Sequence, residues 1–161
     1  MTKKPLSASP LRILAHRFTR IEVLASETES DDAGMSLATK GRFIAHEEDP
    51  RKWLVTLELT FGENNDDAPS PYSGRISIEG EFQVTDGFPQ ERMQTLIEVT
   101  GSSILYGACR EMLANLTARS THGMISLPSV SFLEAPAKPK KKAAKKATKK
   151  SATKKSTRSK K

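Results

Sequence analysis

One stretch of the chain, residues 72–132, constrains the fold more than any other because two hydrophobic periods follow each other there. Between Arg75 and Val84 apolar and polar residues alternate, which is typical of a strand with one buried face. Beyond Pro89 the spacing becomes helical, with apolar residues at positions 104, 105, 108, 109, 112, 113 and 116. A strand that leads into helices, with no helix between the earlier strands, indicates an α+β fold.

The helical part is expected to form two helices. Pro89 suits the first turn of a short helix that ends near Val99. Residues 101–103 read Gly-Ser-Ser, and the serine hydroxyls could cap a second, longer helix. Gly123 is placed to end that helix. Its apolar stripe must pack against another apolar surface. The apolar face of the strand at residues 75–84, and of the sheet to which that strand belongs, is the surface available.

Three further strands are expected before this stretch: Leu11 to Leu24, Lys40 to His46, and residues 53–61, whose alternation is the cleanest in the chain. Together with residues 75–84 they predict a four-stranded antiparallel sheet with two helices packed on one face, the third strand being central. The segment from about Met124 to Phe132 is apolar but contains a proline. It is therefore expected to lie as an extended segment over the sheet or the helix.

Charge divides the chain into two parts. Thirteen of the 26 basic residues lie between Lys138 and Lys161, whereas all 19 acidic residues precede them, so residues 1–137 carry a formal charge of −6 and the tail +13. A segment of Lys, Ala, Ser, Thr and Pro has too little apolar surface to offset its ordering entropy. We therefore expect a flexible leader (1–10), one α+β domain (11–134) and a basic tail (135–161) that is disordered when free.

The residues that usually carry catalysis or bind metals are sparse. His16, His46 and His122 have no metal-ligand spacing, and the single Cys109 lies on the apolar stripe, where a small buried hydrophobe is expected. There is also no phosphate-binding glycine loop and no nucleophile elbow. The sequence predicts no enzyme activity, no cofactor and no metal. Without an apolar run long enough for a signal peptide or a membrane span, a cytoplasmic protein is expected.

Three short motifs resemble a known family. Residues 104–111, 116–119 and 127–132 read I-L-Y-G-A-C-R-E, L-T-A-R and L-P-S-V-S-F. They are similar to the closing signature of the export chaperone SecB, in which I-L-F-P-Y-A-R-E is followed by a basic residue and then by L-A-P-V-N-F. The family's Pro-Tyr is Gly107-Ala108 here, and its later Phe-Pro is His122-Gly123. The chain therefore resembles a divergent member of that family.

The resemblance implies an ATP-independent holdase that assembles as a dimer of dimers and binds unfolded preproteins in hydrophobic grooves for export. The positions that match the family near such a groove are Tyr106, Leu127, Val130 and Phe132. SecB also docks the translocase motor SecA on an acidic sheet face, which implies that role for Glu79 and Glu81. The alternatives are that these carboxylates belong to an ordinary solvated face and that most of the aromatic residues form the core.

The basic tail indicates a second function. It resembles the terminal arms of histone H1, and lysines on a flexible chain bind phosphates without sequence choice. The lysines concerned are Lys140, Lys141, Lys142, Lys145, Lys146, Lys149 and Lys150. A protein bound to nucleic acid or to the ribosome through this tail, with the SecB-like domain serving assembly, is therefore the alternative function. The tail could instead promote solubility or fold back onto the acidic body. A chaperone dedicated to one client, such as an antitoxin, is a third possibility.

Overall fold

The computed structural model describes residues 8–27, 35–62 and 70–133. Four strands form one sheet: β1 (Leu11–Ala25), β2 (Leu37–Ala45), β3 (Lys52–Phe61) and β4 (Tyr72–Val84). Their order is β1-β4-β3-β2, and every neighbouring pair is antiparallel. The predicted four-stranded antiparallel sheet is confirmed, and the third strand is central as expected.

One face of the sheet is buried, and residues that pair across the two central strands point to the same face. The paired residues Leu57 and Ile78 lie side by side on this face, as do Leu59 and Ile76, and all four are fully buried. The fully buried side chains of the sheet also include Val55, Phe61, Tyr72 and Phe82. The intervening residues of β3 and β4 form the opposite face, which carries no helix among the described residues.

Two irregularities interrupt the pairing of β1 with β4. Ile13 pairs with Phe82 and Ala15 with Glu81, so Leu14 is an extra residue in β1. A second bulge leaves Thr19 extra. Each bulge adds local twist to this edge strand and sends one side chain out of the regular alternation.

The helical part differs from the prediction, because the chain forms one continuous helical run rather than two helices. A 3₁₀ turn (Gln90–Arg92) passes into one α-helical turn, α1 (Met93–Leu96), then into a π-helical turn (Ile97–Gly101), and then into the helix α2 (Ser102–Thr117). The backbone stays right-handed helical at the junctions, including Gly101 at φ −60° and ψ −47°. One helix packed on the sheet replaces the expected helical hairpin.

The Gly-Ser-Ser sequence at 101–103 was wrongly interpreted as a cap. Ser103 donates its hydroxyl to the carbonyl of Val99 at 2.7 Å, a bond from one helical turn to the preceding one. Gly101 is buried, and a Cβ there would already touch Val55 and Phe82 at 3.6 and 3.8 Å. Gly101 and Ser102 are therefore buried inside the helical run, whereas Ser103 is exposed.

The buried stripe of α2 is slightly rotated from the expected one. Its buried residues are Ser102, Leu105, Tyr106, Cys109, Leu113 and Thr117. Ile104 and Leu116, which the apolar spacing assigned to the stripe, lie at its margins with 36% and 44% exposure. The core therefore lies between α2 and the central strands, and the margins of the helix present apolar side chains to solvent.

Several sequence predictions lie outside the described residues. They concern most of the leader and the basic tail with all seven of its named lysines.

Candidate functional site

Residues 124–133, here called the strap, cross back over α2 after the helix ends. Tyr106 donates its hydroxyl to the carbonyl of Pro128 at 2.7 Å. The backbone N–H of Ile125 donates to Thr117 Oγ1 at 3.0 Å, and Leu127 is buried in the core. The strap is thus held on the helix by side chains, which confirms an extended segment over the helix.

A second set of contacts fixes the turn that leads into the strap. The hydroxyl of Tyr72 accepts the backbone N–H of His122 at 2.9 Å and donates to the carbonyl of Gly123 at 3.0 Å. His122 Nε2 lies 2.7 Å from the carbonyl of Ser26 at the end of β1. Gly123 has φ +74°, a left-handed conformation that glycine adopts without strain. The helix ends at Thr117, so Gly123 closes the turn after the helix and does not end the helix as predicted.

An apolar groove lies between the first half of the helical run and the end of the strap. We call it the helix groove, and its volume is about 260 Å³. Its lining residues are Phe88, Arg92, Thr95, Leu96, Val99 and Leu133. Leu133 is 66% exposed at its rim. Such a groove can accept an apolar side chain from another chain.

The structure separates the four residues that were expected to line a client groove. Tyr106 and Leu127 belong to the core, at 4% and 1% exposure. Phe132 is half-buried and meets the ring of Tyr106 edge-on, with 5.9 Å between the ring centroids. Val130 is 38% exposed and does not line the helix groove. Tyr106 and Phe132 therefore position the strap. Leu133, which follows Phe132, forms the rim of the groove.

Arg110 of α2 is half-buried. Its guanidinium Nε is buried and has no hydrogen-bond partner among the described residues. Burial raises the pKa of the nearby Tyr106 hydroxyl, and the positive charge of Arg110 partly offsets that rise. The hydroxyl therefore stays protonated and remains a donor to the strap.

A larger cleft of about 770 Å³ lies on the helix-free face, at the end of the sheet that carries the β2–β3 turn. We call it the sheet-end cleft. Ile44, Leu54 and Glu81 lie in one row across β2, β3 and β4, and the bulge residue Leu14 extends the row at β1. The other lining residues are Ala45, His46, Glu47, Glu48, Lys52, Trp53 and Phe82. The cleft combines exposed apolar side chains with several carboxylates.

The two carboxylates that were expected on a docking face have different environments. Both lie on the helix-free face, as the alternation predicts. Glu79 forms an ion pair with Arg17 at 2.8 Å, whereas Glu81 is exposed and lines the sheet-end cleft. Arg75 and Glu58 form another pair on this face, at 3.7 Å. The face is of mixed charge rather than uniformly acidic, and Glu81 is the carboxylate left open to a partner.

Cys109 is fully buried on α2 beneath the sheet, as its place on the apolar stripe predicted. Burial raises the pKa of its thiol from 9 to about 12, because the thiolate is poorly solvated in an apolar core. In the folded protein the thiol is therefore neutral and inaccessible.

This environment predicts how stability depends on pH. The folded state holds the thiol proton more tightly than the unfolded state, so this contribution to stability is complete below pH 9 and is lost as the pH rises toward 12. We expect urea midpoints of the native chain to fall above pH 9, and to fall less in Cys109→Ala. A native thiol that reacts with a thiol reagent at pH 8 as fast as the urea-unfolded chain would contradict this account.

Within residues 8–27, 35–62 and 70–133, no group of three or more His, Cys, Asp or Glu side chains could hold a metal ion. No helix in the same ranges is both long and apolar enough to cross a membrane.

No protein-family model matches the chain. An uncharacterized protein of Methanocaldococcus jannaschii is 24% identical over 115 residues, which are 69% of this chain and 72% of that protein. Among solved structures, the SecB-like chaperone of Mycobacterium tuberculosis, in complex with a ChAD peptide from an antitoxin, matches with a TM-score of 0.55 and 17% identity, over 75% of this chain and 91% of the other. A protein of unknown function from Streptococcus agalactiae matches with a TM-score of 0.46 and 15% identity, over 76% of this chain and all of the other. The Mycobacterium structure shows that this chain has a SecB-like fold.

Proposed function

We propose that this protein is an ATP-independent chaperone that holds extended apolar segments of unfolded proteins in the helix groove. The observation that carries the proposal is the groove itself, in which Leu96, Val99 and Leu133 offer apolar surface beside a well-packed core. Apolar burial is non-directional and tolerates many sequences, as a chaperone requires. Holding a client in this way needs no catalytic group and no cofactor.

The comparison with the SecB-like chaperone supports this proposal at the level of the fold. The structure of that protein was solved in complex with a peptide from an antitoxin, so a SecB-like fold can bind a segment of another protein. In the present chain Tyr106 and Thr117 hold the strap at Pro128 and Ile125, and Phe132 packs against the ring of Tyr106, so the strap that leads to Leu133 is in place before a client binds. A preformed groove loses less entropy on binding than one that must be ordered.

The groove can be tested with one exposed leucine and a matched methionine elsewhere on the strap. Leu133 and Met124 are 66% and 67% exposed, but only Leu133 lines the groove. Because full burial of a leucine contributes roughly 1.5–3 kcal/mol, we expect Leu133→Ser to weaken client binding by about tenfold or more. Met124→Ser should leave the affinity nearly unchanged.

The measurement is the delay of aggregation of a chemically unfolded client by the full chain, without ATP, together with the dissociation constant for a labelled client. A full chain that gives no delay at stoichiometric amounts would refute the chaperone function. Equal losses in Leu133→Ser and Met124→Ser would leave the function intact and show that the helix groove is not its site.

The finer proposals follow the resemblance to SecB. We propose that the clients are unfolded preproteins and that the chain acts in the cytoplasm, in support of export. Docking of SecA through Glu81 and binding of nucleic acid through the basic tail remain predictions.

We also propose that the chain assembles through β1. Among the described residues only β4 pairs with this edge strand. Its regular part, Arg20 to Ala25, carries Ile21 at 44% exposure, and Leu116 of α2 lies beside it at 44%, both lining a shallow cavity of about 290 Å³. An unpaired edge flanked by exposed apolar side chains favours pairing with a second copy.

A further inference from the structure

We propose that the Lys-rich tail of this chain, residues 138–161, docks into the sheet-end cleft of its own domain. The inference concerns a different surface from the helix groove and does not depend on the proposed chaperone function. It rests on the chemistry of the cleft, on the place where the described chain ends, and on the opposite charges of the two parts.

The cleft has the chemistry that accommodates lysine side chains. Its apolar part is formed by Leu14 and Ile44, which are 45% and 48% exposed, together with half-buried Leu54. Long lysine stems cover such surfaces while their ammonium groups stay in contact with water or carboxylates. Trp53 borders the cleft at the start of β3, where its indole N–H donates to the carbonyl of Pro50 in the β2–β3 turn at 3.1 Å.

Carboxylates outnumber cations around this surface. Glu47, Glu48 and Glu81 line the cleft and are exposed, whereas Lys52 is its one basic residue and pairs with Asp49 at 3.8 Å. A row of lysines would therefore find unpaired carboxylates next to an apolar floor. The arrangement suits a cationic segment better than a neutral or an acidic one.

The described chain ends at the same end of the sheet as the cleft. Leu133 and Phe88 line the helix groove together, and Phe88 donates its N–H to Thr85 just after β4. Arg51, in the β2–β3 turn, donates from its guanidinium to the carbonyl of Thr85 at 2.8 Å. Six extended residues span at most about 20 Å, so the residues from 134 onward can bring the first lysines around the sheet end.

Charge and tethering both favour the chain's own tail over a free cationic peptide. Residues 1–137 carry a formal charge of −6 and residues 138–161 carry +13, with no acidic residue among them. A tethered segment also acts at an effective concentration in the millimolar range for short linkers. Weak contacts from individual lysines therefore suffice to populate the docked state.

Trp53 provides a probe because it is the only tryptophan in the chain and borders the cleft. We expect acrylamide, a neutral quencher, to quench the fluorescence of the full chain weakly at about 0.02 M salt. Quenching should become about twofold stronger at about 0.5 M salt, where the charges are screened. The effect should not change with protein concentration, because the contact lies within one chain.

Two sets of substitutions in the full chain test the contact. Glu47→Gln with Glu81→Gln should give strong quenching already at low salt, and so should Lys140→Gln, Lys141→Gln and Lys142→Gln together. Combining the two sets should add little to either alone, as expected for two sides of one contact. The control Glu91→Gln with Glu111→Gln removes the same charge from exposed positions outside the cleft and should behave like the wild type.

Four results would overturn the proposal. They are quenching that does not respond to salt, a control variant that behaves like the cleft variant, and a salt effect that grows with protein concentration, which would place the tail on a second copy. The fourth is a tail variant that loses binding to duplex DNA while Trp53 stays protected from acrylamide. The tail would then bind nucleic acid and not the cleft.

Discussion

Replacing Phe82 with alanine is expected to lower the free energy of unfolding by about 3–5 kcal/mol. Phe82 is fully buried in β4 and pairs with Trp53 on one side and Ile13 on the other. Its ring fills space left by a neighbouring glycine, since a Cβ on Gly80 would lie 2.8 Å from it. Glycine has no side chain to move into the vacated volume, so the cavity would persist.

A loss of this size is a large part of the 5–15 kcal/mol that stabilises a typical domain. The measurement is urea denaturation followed by far-ultraviolet circular dichroism. Phe88→Ala is the control, because Phe88 is half-buried at the edge of the helix groove and its removal should cost clearly less. Equal losses in the two variants would mean that the ring of Phe82 is not a central part of the core.

The second large effect is expected at the edge of the sheet. If the chain pairs through β1, as proposed, Ile21→Glu places an unpaired carboxylate in the contact, and the symmetry of a dimer places it there twice. Burying an unpaired charge costs several kcal/mol. We therefore expect the variant to be monomeric at concentrations at which the wild type is an oligomer, with little change in the fold of each subunit because Ile21 is 44% exposed.

Light scattering of the full chain at low and high salt measures this effect. Ile44→Glu is the matched control, since Ile44 is 48% exposed on the other edge strand, β2, and should keep the native mass of the wild type. A wild type that is monomeric under both conditions would rule out assembly through β1, as would an Ile21→Glu variant of unchanged mass.

The strands were predictable because their side chains report the environment of each face. Val55, Leu57 and Leu59 alternate with partly exposed residues along β3, and each is fully buried. β2 was less well bounded: it begins at Leu37 rather than at Lys40, since the outer strand buries less of its surface. The alternation of an edge strand is correspondingly weaker.

The continuity of the helix was not predictable from local signals. Gly and Ser are common at helix ends, but here Gly101 and Ser102 are buried inside the helical run, and Gly101 faces Val55 and Phe82. Thr117 likewise reads as polar, yet it is fully buried because its hydroxyl donates to the carbonyl of Leu113 and accepts the N–H of Ile125. These are tertiary contacts, which a hydrophobic period does not record.

The candidate site was found in part. The resemblance to SecB pointed to Tyr106 and Phe132, which touch in the structure and hold the strap, but the groove beside them is lined by Leu96 and Val99 from the first half of the helical run. In the sequence, the signal for this groove was that residues 92, 96 and 99 recur at helical spacing. The sheet-end cleft had no sequence signal, because strand order alone brings Leu14 and Ile44 to one end of the sheet.

The strand order also has a consequence for the sequence of events in folding. β2, β3 and β4 follow one another along the chain and pair as consecutive neighbours, whereas β1 pairs with β4, and the ion pair between Arg17 and Glu79 spans 62 residues. Closing so long a loop is slow compared with local hairpin formation. During synthesis β1 must therefore wait until β4 has been made, and the earliest segment of the chain is the last strand to join the sheet.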